Sequence, residues 1–169
     1  MNHNLKHIML DIETLDVLPT ATITQIAACS FSLEDGITNH FNTYVLATSQ
    51  SWGSASKATL DWLASLPPKE PIGSAVPIRE ALKALSSYLQ GEDYDGIWCY
   101  GASFDFPILR LAYHHTNLPL PWHYRQERCL RTILALKNTK LRATNNHDAL
   151  SDVYNQAATL LEEWHELGL

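Results

Sequence analysis

The chain has 169 residues, 46% of them hydrophobic, and a formal net charge of −6 at pH 7. That length and apolar share suit one compact domain, 1–169, with a sizeable core, while the acidic balance argues against bulk attraction to nucleic acid and leaves room only for a locally basic groove. No apolar run spans a bilayer and residues 1–6 lack a signal-peptide pattern, so a soluble, cytoplasmic protein with no membrane partner is expected.

His7 to Thr14 (HIMLDIET) reads as the first strand. Successive side chains on a strand point to opposite faces, so Ile8, Leu10 and Ile12 bury one face while Asp11 and Glu13 share the other. Two carboxylates held close together repel unless a hard divalent cation joins them, although an Asp-x-Glu alone is a weak signal. Ile23 to Leu33 reads as a second strand, Asp35-Gly36 as a hairpin turn and Ile37 to Leu46 as a third strand, forming an antiparallel unit. Residues 47–56 read as a mobile loop, after which Thr59 caps a short helix ended by Pro67-Pro68. Trp62 on that helix is expected to pack in the core.

Pro77 opens a helix whose Ile78, Leu82, Leu85 and Leu89 recur at helical spacing, with Gly91 ending it. Gly96 to Tyr100 reads as a buried strand, followed by Gly101-Ala102-Ser103 and a helix opening at Phe104-Asp105, with Ser103 as its cap. An acid in the first helical turn is electrostatically favoured, and the end of a central strand is also where sheet enzymes place active groups. After the loop 118–122, a helix is expected around Leu130 to Leu136. Arg125, Arg128, Arg131, Lys137, Lys140 and Arg142 are six of the twelve basic residues, with Glu127 the one acid among them. This segment is either a solvated face or a phosphate-contacting groove. The last helix is expected over 147–166, with Ala149, Val153, Ala157, Leu160, Leu161 and Trp164 as its apolar stripe. Asp152 abuts that stripe, and His147 sits at the helix start. Cys29, Cys99 and Cys129 read as buried thiols rather than disulfides or a zinc site.

Taken in order, DIET (Asp11 to Thr14), YGASFD (Tyr100 to Asp105) and HDALSD (His147 to Asp152) resemble the three motifs of the DEDDh branch of the DnaQ-like 3′ to 5′ exonucleases. Tyr100 and Gly101 depart from the histidine or asparagine and the asparagine common there. The resemblance covers nearly the whole chain and is strongest to the short phage, prophage and bacterial exonucleases. It implies an α/β, RNase H-like fold: a mixed five-stranded sheet, antiparallel over its first three strands and then parallel, with helices on both faces.

The same resemblance implies that Asp11, Glu13, Asp105 and Asp152 hold two Mg²⁺ or Mn²⁺ ions. It also makes His147 the general base, a role suited to the side chain that titrates nearest neutrality. The implied reaction removes nucleoside 5′-monophosphates from the 3′ end of single-stranded RNA or DNA. Thr14, Leu15 and Phe104 become candidates for holding the terminal nucleotide. Lys137, Lys140 and Arg142 become candidates for holding the incoming backbone. Homodimers occur among related exonucleases, and Trp52 or Trp122, if exposed, would serve such an interface. Two other readings keep the same fold: an RNase H-type endonuclease, and a catalytically silent nucleic-acid-binding module, against which the retention of all five polar residues speaks.

Overall fold

The computed structural model describes residues 5–67, 73–141 and 147–167. Five strands, β1 (His7–Thr14), β2 (Ile23–Ser32), β3 (Gly36–Tyr44), β4 (Gly96–Cys99) and β5 (Glu127–Cys129), form one sheet in the order β3-β2-β1-β4-β5. The β1-β2 and β2-β3 pairs are antiparallel, whereas β4 runs parallel to β1 and β5 parallel to β4. The expected mixed α/β sheet is present. β5 lies in a stretch for which the sequence predicts no strand, because three residues are too short to show alternation.

Alternation along β1 divides the molecule into two cores. Ile8, Leu10 and Ile12 face α2 (Ile78–Gly91) and α3 (Ala102–His115), packing with Leu82, Leu85, Phe106 and Leu109. Met9 faces the other way with Ala27, Cys29 and Phe31, toward α4 (Leu130–Leu136) and α5 (Ala149–Leu167), whose Ala149, Val153, Ala157 and Leu160 are buried there. Asp11 and Glu13 therefore emerge on the α5 side. The hairpin turn before β3 uses Gly36 at φ +67°, a conformation that favours glycine. Among the described residues no helix is long and apolar enough to cross a membrane.

Several local expectations are corrected. The first helix, α1 (Lys57–Ser65), is capped by Ser56, whose hydroxyl accepts from the Thr59 N–H, so Thr59 lies inside the first turn. Helix α3 starts at Ala102 with Gly101 as its cap, because the Gly101 carbonyl accepts from Phe104 at 2.7 Å; Ser103 is thus helical and caps nothing. Trp62 is 44% exposed, since α1 buries none of its residues. Trp122, conversely, is 5% exposed: its ring packs between Phe106 and Tyr113 and its Nε1 donates to Glu127 at 2.8 Å, so it offers no surface to a partner. Trp52 is half-buried and stacks on His115 with ring centres 4.6 Å apart.

Candidate active site

The alternation that sends Met9 into the core also sends Asp11 and Glu13 toward α5. Opposite them on β2 stand Ala27, small enough to leave space, and Gln25. Asp152 comes from the first turn of α5. Each of Asp11, Glu13 and Asp152 offers a carboxylate oxygen, and these oxygens all lie within 4.8 Å of one another. Asp105 arrives from the first turn of α3, is 4% exposed, and accepts a hydrogen bond from the Ile12 N–H.

Burial and neighbouring charge favour the protonated forms of Asp11 and Asp105. Burial pushes the Asp11 carboxyl up to about 7, the charges of Asp152 and Asp148 add to this, and the Gln156 amide, donating at 2.9 Å, opposes it. Burial, and then the charge of Asp11, raise Asp105 well above the usual carboxylate range despite its backbone hydrogen bonds and the pull of Arg131. A converging set of hard oxygen donors whose own charges resist ionisation suits divalent cations such as Mg²⁺ or Mn²⁺.

His147 lies just before α5 with φ +39°, and its ring meets the edge of Trp62 at a centroid distance of 4.6 Å and an interplanar angle of 80°. Beside the acids opens a groove of about 420 Å³ whose walls include Glu13, Thr14, Asp16, Val17, Trp62 and Phe104. Thr14 donates its hydroxyl to the Asp16 carbonyl at 2.7 Å. Leu15 is half-buried and does not line the groove; its backbone bonds to Thr22 and Ser56. Among the candidate backbone contacts, Lys137 forms an ion pair with Glu163 of α5 at 2.6 Å, Lys140 is exposed, and Arg142 lies outside the described residues. Arg131 stacks over Tyr100 at 4.6 Å.

Sequence reasoning missed Gln25, Asp148 and Gln156. Asp148 caps α5: its Oδ1 accepts from the Ser151 N–H and hydroxyl, and its carbonyl accepts from the Asp152 N–H at 2.9 Å. Burial raises the Asp148 carboxyl, but hydrogen bonds from Ser151, Gln25 and Tyr44 outweigh it and hold the group below the usual range. An aspartate one residue after His147 and three before Ser151 is a legible capping signal.

Residues 6–164 match the family model for the Rv2179c-like 3′-5′ exoribonuclease domain. Among solved structures, E. coli exonuclease I in complex with a dT13 oligonucleotide is similar over 98% of this chain, with a TM-score of 0.74 and 15% identity. The zinc-bound form of the E. coli exonuclease I complex with single-stranded DNA is similar over 97%, with a TM-score of 0.72 and 15% identity. This chain spans 43% and 41% of the length of those two chains. No curated protein sequence matches it. Because the family match runs from before β1 into the last turns of α5, taking in every element that delivers a carboxylate, the chain belongs to the Rv2179c-like 3′-5′ exoribonuclease domain family.

Proposed function

We propose that this domain removes nucleoside 5′-monophosphates from the 3′ end of single-stranded nucleic acid, using two divalent cations and His147 as general base. The observation that carries this reading is the convergence of carboxylate oxygens from Asp11, Glu13 and Asp152 within 4.8 Å, beside buried Asp105 and at the mouth of a groove. Asp11, Glu13, Asp105 and Asp152 would hold Mg²⁺ or Mn²⁺, which when bound stabilise charge on the attacking and leaving oxygens of a phosphoryl displacement. Asp11 lies among the grouped carboxylates of Glu13 and Asp152, and its charge also acts on Asp105, so it would contribute to holding the cations together with all three.

The remaining work falls to this chain's own groups. His147 takes a proton from the attacking water, with Trp62 bracing the ring. Phe104 and Trp62 would offer aromatic surface to the terminal base, and Thr14, lining the same groove, would read the terminal hydroxyl. Lys140 and Arg142 hold the incoming phosphates, whereas Lys137 is engaged with Glu163. The oligonucleotides in the exonuclease I complexes support a single-stranded substrate, and the family model supports RNA.

The test is Mn²⁺-dependent digestion of matched 5′-labelled RNA and DNA single strands, with a circular single strand alongside. A ladder shortening from the 3′ end is expected, with the circle intact. Asp11→Ala and His147→Ala are expected to lose at least about 100-fold in rate, the lower range for a positioned general base. Cleavage of the circle would point to an endonuclease, and no shortening by folded wild-type protein would point to a binding module.

A further inference from the structure

His147 is the one proposed catalytic residue that lies outside regular structure, and it does so in the left-handed backbone region at φ +39°, where a residue with a Cβ stays only if its surroundings hold it. The backbone immediately after it is anchored at several points. Gln25 is 3% exposed on β2, and its Nε2 donates both to Asp148 Oδ2 at 3.0 Å and to Asn42 Oδ1 at 3.0 Å. Its Oε1 accepts from the Ala149 N–H at 3.2 Å, so the one amide grips the first residue of α5 and the cap before it. Tyr44, at the end of β3, adds a second donor to Asp148 Oδ2 at 3.3 Å. The other oxygen of Asp148 is engaged by Ser151 within the helix.

We infer that Gln25, Asp148 and Tyr44 form a clamp that fixes the start of α5 to the sheet and thereby sets the position of His147. All three are positioning residues. The inference rests on the reading of His147 as general base. Asp152 depends on the clamp less, because it lies inside α5 and the next residue, Val153, is fully buried in the core with Met9 and Cys29. Loosening the clamp should therefore cost turnover before it costs metal binding.

Complementarity of the amide and the carboxylate gives the test. Asp148→Asn keeps an oxygen for Ser151 but turns an amide donor toward the donors of Gln25 and Tyr44. Gln25→Glu places a second carboxylate against Asp148. The double variant Gln25→Glu/Asp148→Asn restores one donor facing one acceptor, keeps an acceptor for the Ala149 N–H, and lets the Asn42 amide rotate to donate. Each single variant is expected to lower kcat about 10- to 100-fold, the penalty of a misplaced catalytic group. KM for a 5′-labelled oligonucleotide should stay within about twofold in every variant, and the double variant should regain most of the lost kcat. Tyr44→Phe, which changes no charge beside Asp11 and Glu13, should also keep the Mn²⁺-induced rise in Tm within about twofold. Tyr44→Phe, which removes a single hydroxyl, is expected to lower kcat about threefold and serves if a single amide variant fails to fold.

The clamp is overturned if folded single variants or Tyr44→Phe turn over like wild type, or if the double variant folds and stays as slow as the singles. A fall in the Mn²⁺-induced Tm rise in step with kcat in Tyr44→Phe, where no charge changes, also overturns it, since the effect would then lie in the metal site. A His147→Ala protein as active as wild type instead overturns the base reading, whatever the clamp variants do.

Discussion

Trp62 shows how much one side chain's environment decides. Its spacing on a short amphipathic helix reads as core, yet the indole stands 44% exposed, forming one wall of the groove and meeting the His147 ring. Periodicity reports which residues share a face and not what, if anything, covers that face. Stacking of one base on an aromatic ring is worth about 1–3 kcal/mol, so Trp62→Ala should raise KM for an oligonucleotide by about 5- to 150-fold while leaving the Tm nearly unchanged; steady-state kinetics and a melting curve check both. Asp11, Glu13, Asp105, His147 and Asp152 were legible as candidates from their order along the chain. Gln25 was not, because its partner Asp148 is 123 residues away and nothing local in TQIAA marks a buried amide as a grip.

At the scale of elements, β1, β2, β4 and the two long amphipathic helices α2 and α5 could be read because each buries apolar residues in a regular pattern, and β3 because a hairpin turn precedes it, whereas three-residue β5 could not. The caps of α1 and α3 could not be fixed, since Ser56 or Thr59, and Gly101 or Ser103, are all competent, and tertiary contacts choose between them. The basic stretch from Arg125 to Arg142 is also divided by elements rather than acting as one patch. Lys137, just past α4, is tied to Glu163 on α5, and both side chains are largely shielded from solvent. Removing one partner of such a pair leaves the other charge poorly solvated. Lys137→Met should therefore destabilise the protein by about 1–3 kcal/mol, less than a fully buried pair would. Its effect should be on Tm rather than on KM. Lys140→Ala/Arg142→Ala should do the reverse, raising KM and flattening its salt dependence with the Tm held.

For the molecule as a whole, the crowded acids link folding, protons and metal. Asp11 binds a proton up to about pH 7 when folded, against about 4 when unfolded. Between those values the folded state holds more protons, so in metal-free protein this group's contribution to stability is full below pH 4 and is lost as pH rises through 7. Asp105 is raised for the same reason and acts in the same direction. Cations that replace those protons bind better as pH rises. The Mn²⁺-induced increase in Tm should therefore be small at pH 5.5 and grow through pH 8, and Asp11→Asn should both raise the metal-free Tm at pH 8 and abolish that growth; thermal unfolding across pH with and without Mn²⁺ reads both. The antiparallel-then-parallel character of the sheet was legible only through the resemblance carried by the three motifs together; the strand order β3-β2-β1-β4-β5 was not, because pairing between distant strands leaves no local signal.

That gathering has a consequence for how the chain comes into being. Helix α5 packs across β1, β2 and β3, and it delivers the last acid; the proposed base lies just before it. A chain elongating on a ribosome has made Asp11, Glu13 and Asp105 long before Asp152 and His147 exist. Until α5 emerges and docks, the apolar face bearing Met9, Ala27 and Cys29 is uncovered and the acids have no fourth member to close the set. If Asp152 and His147 act as proposed, a nascent polypeptide cannot hydrolyse nucleic acid before α5 docks, and activity would arrive together with burial of the second core.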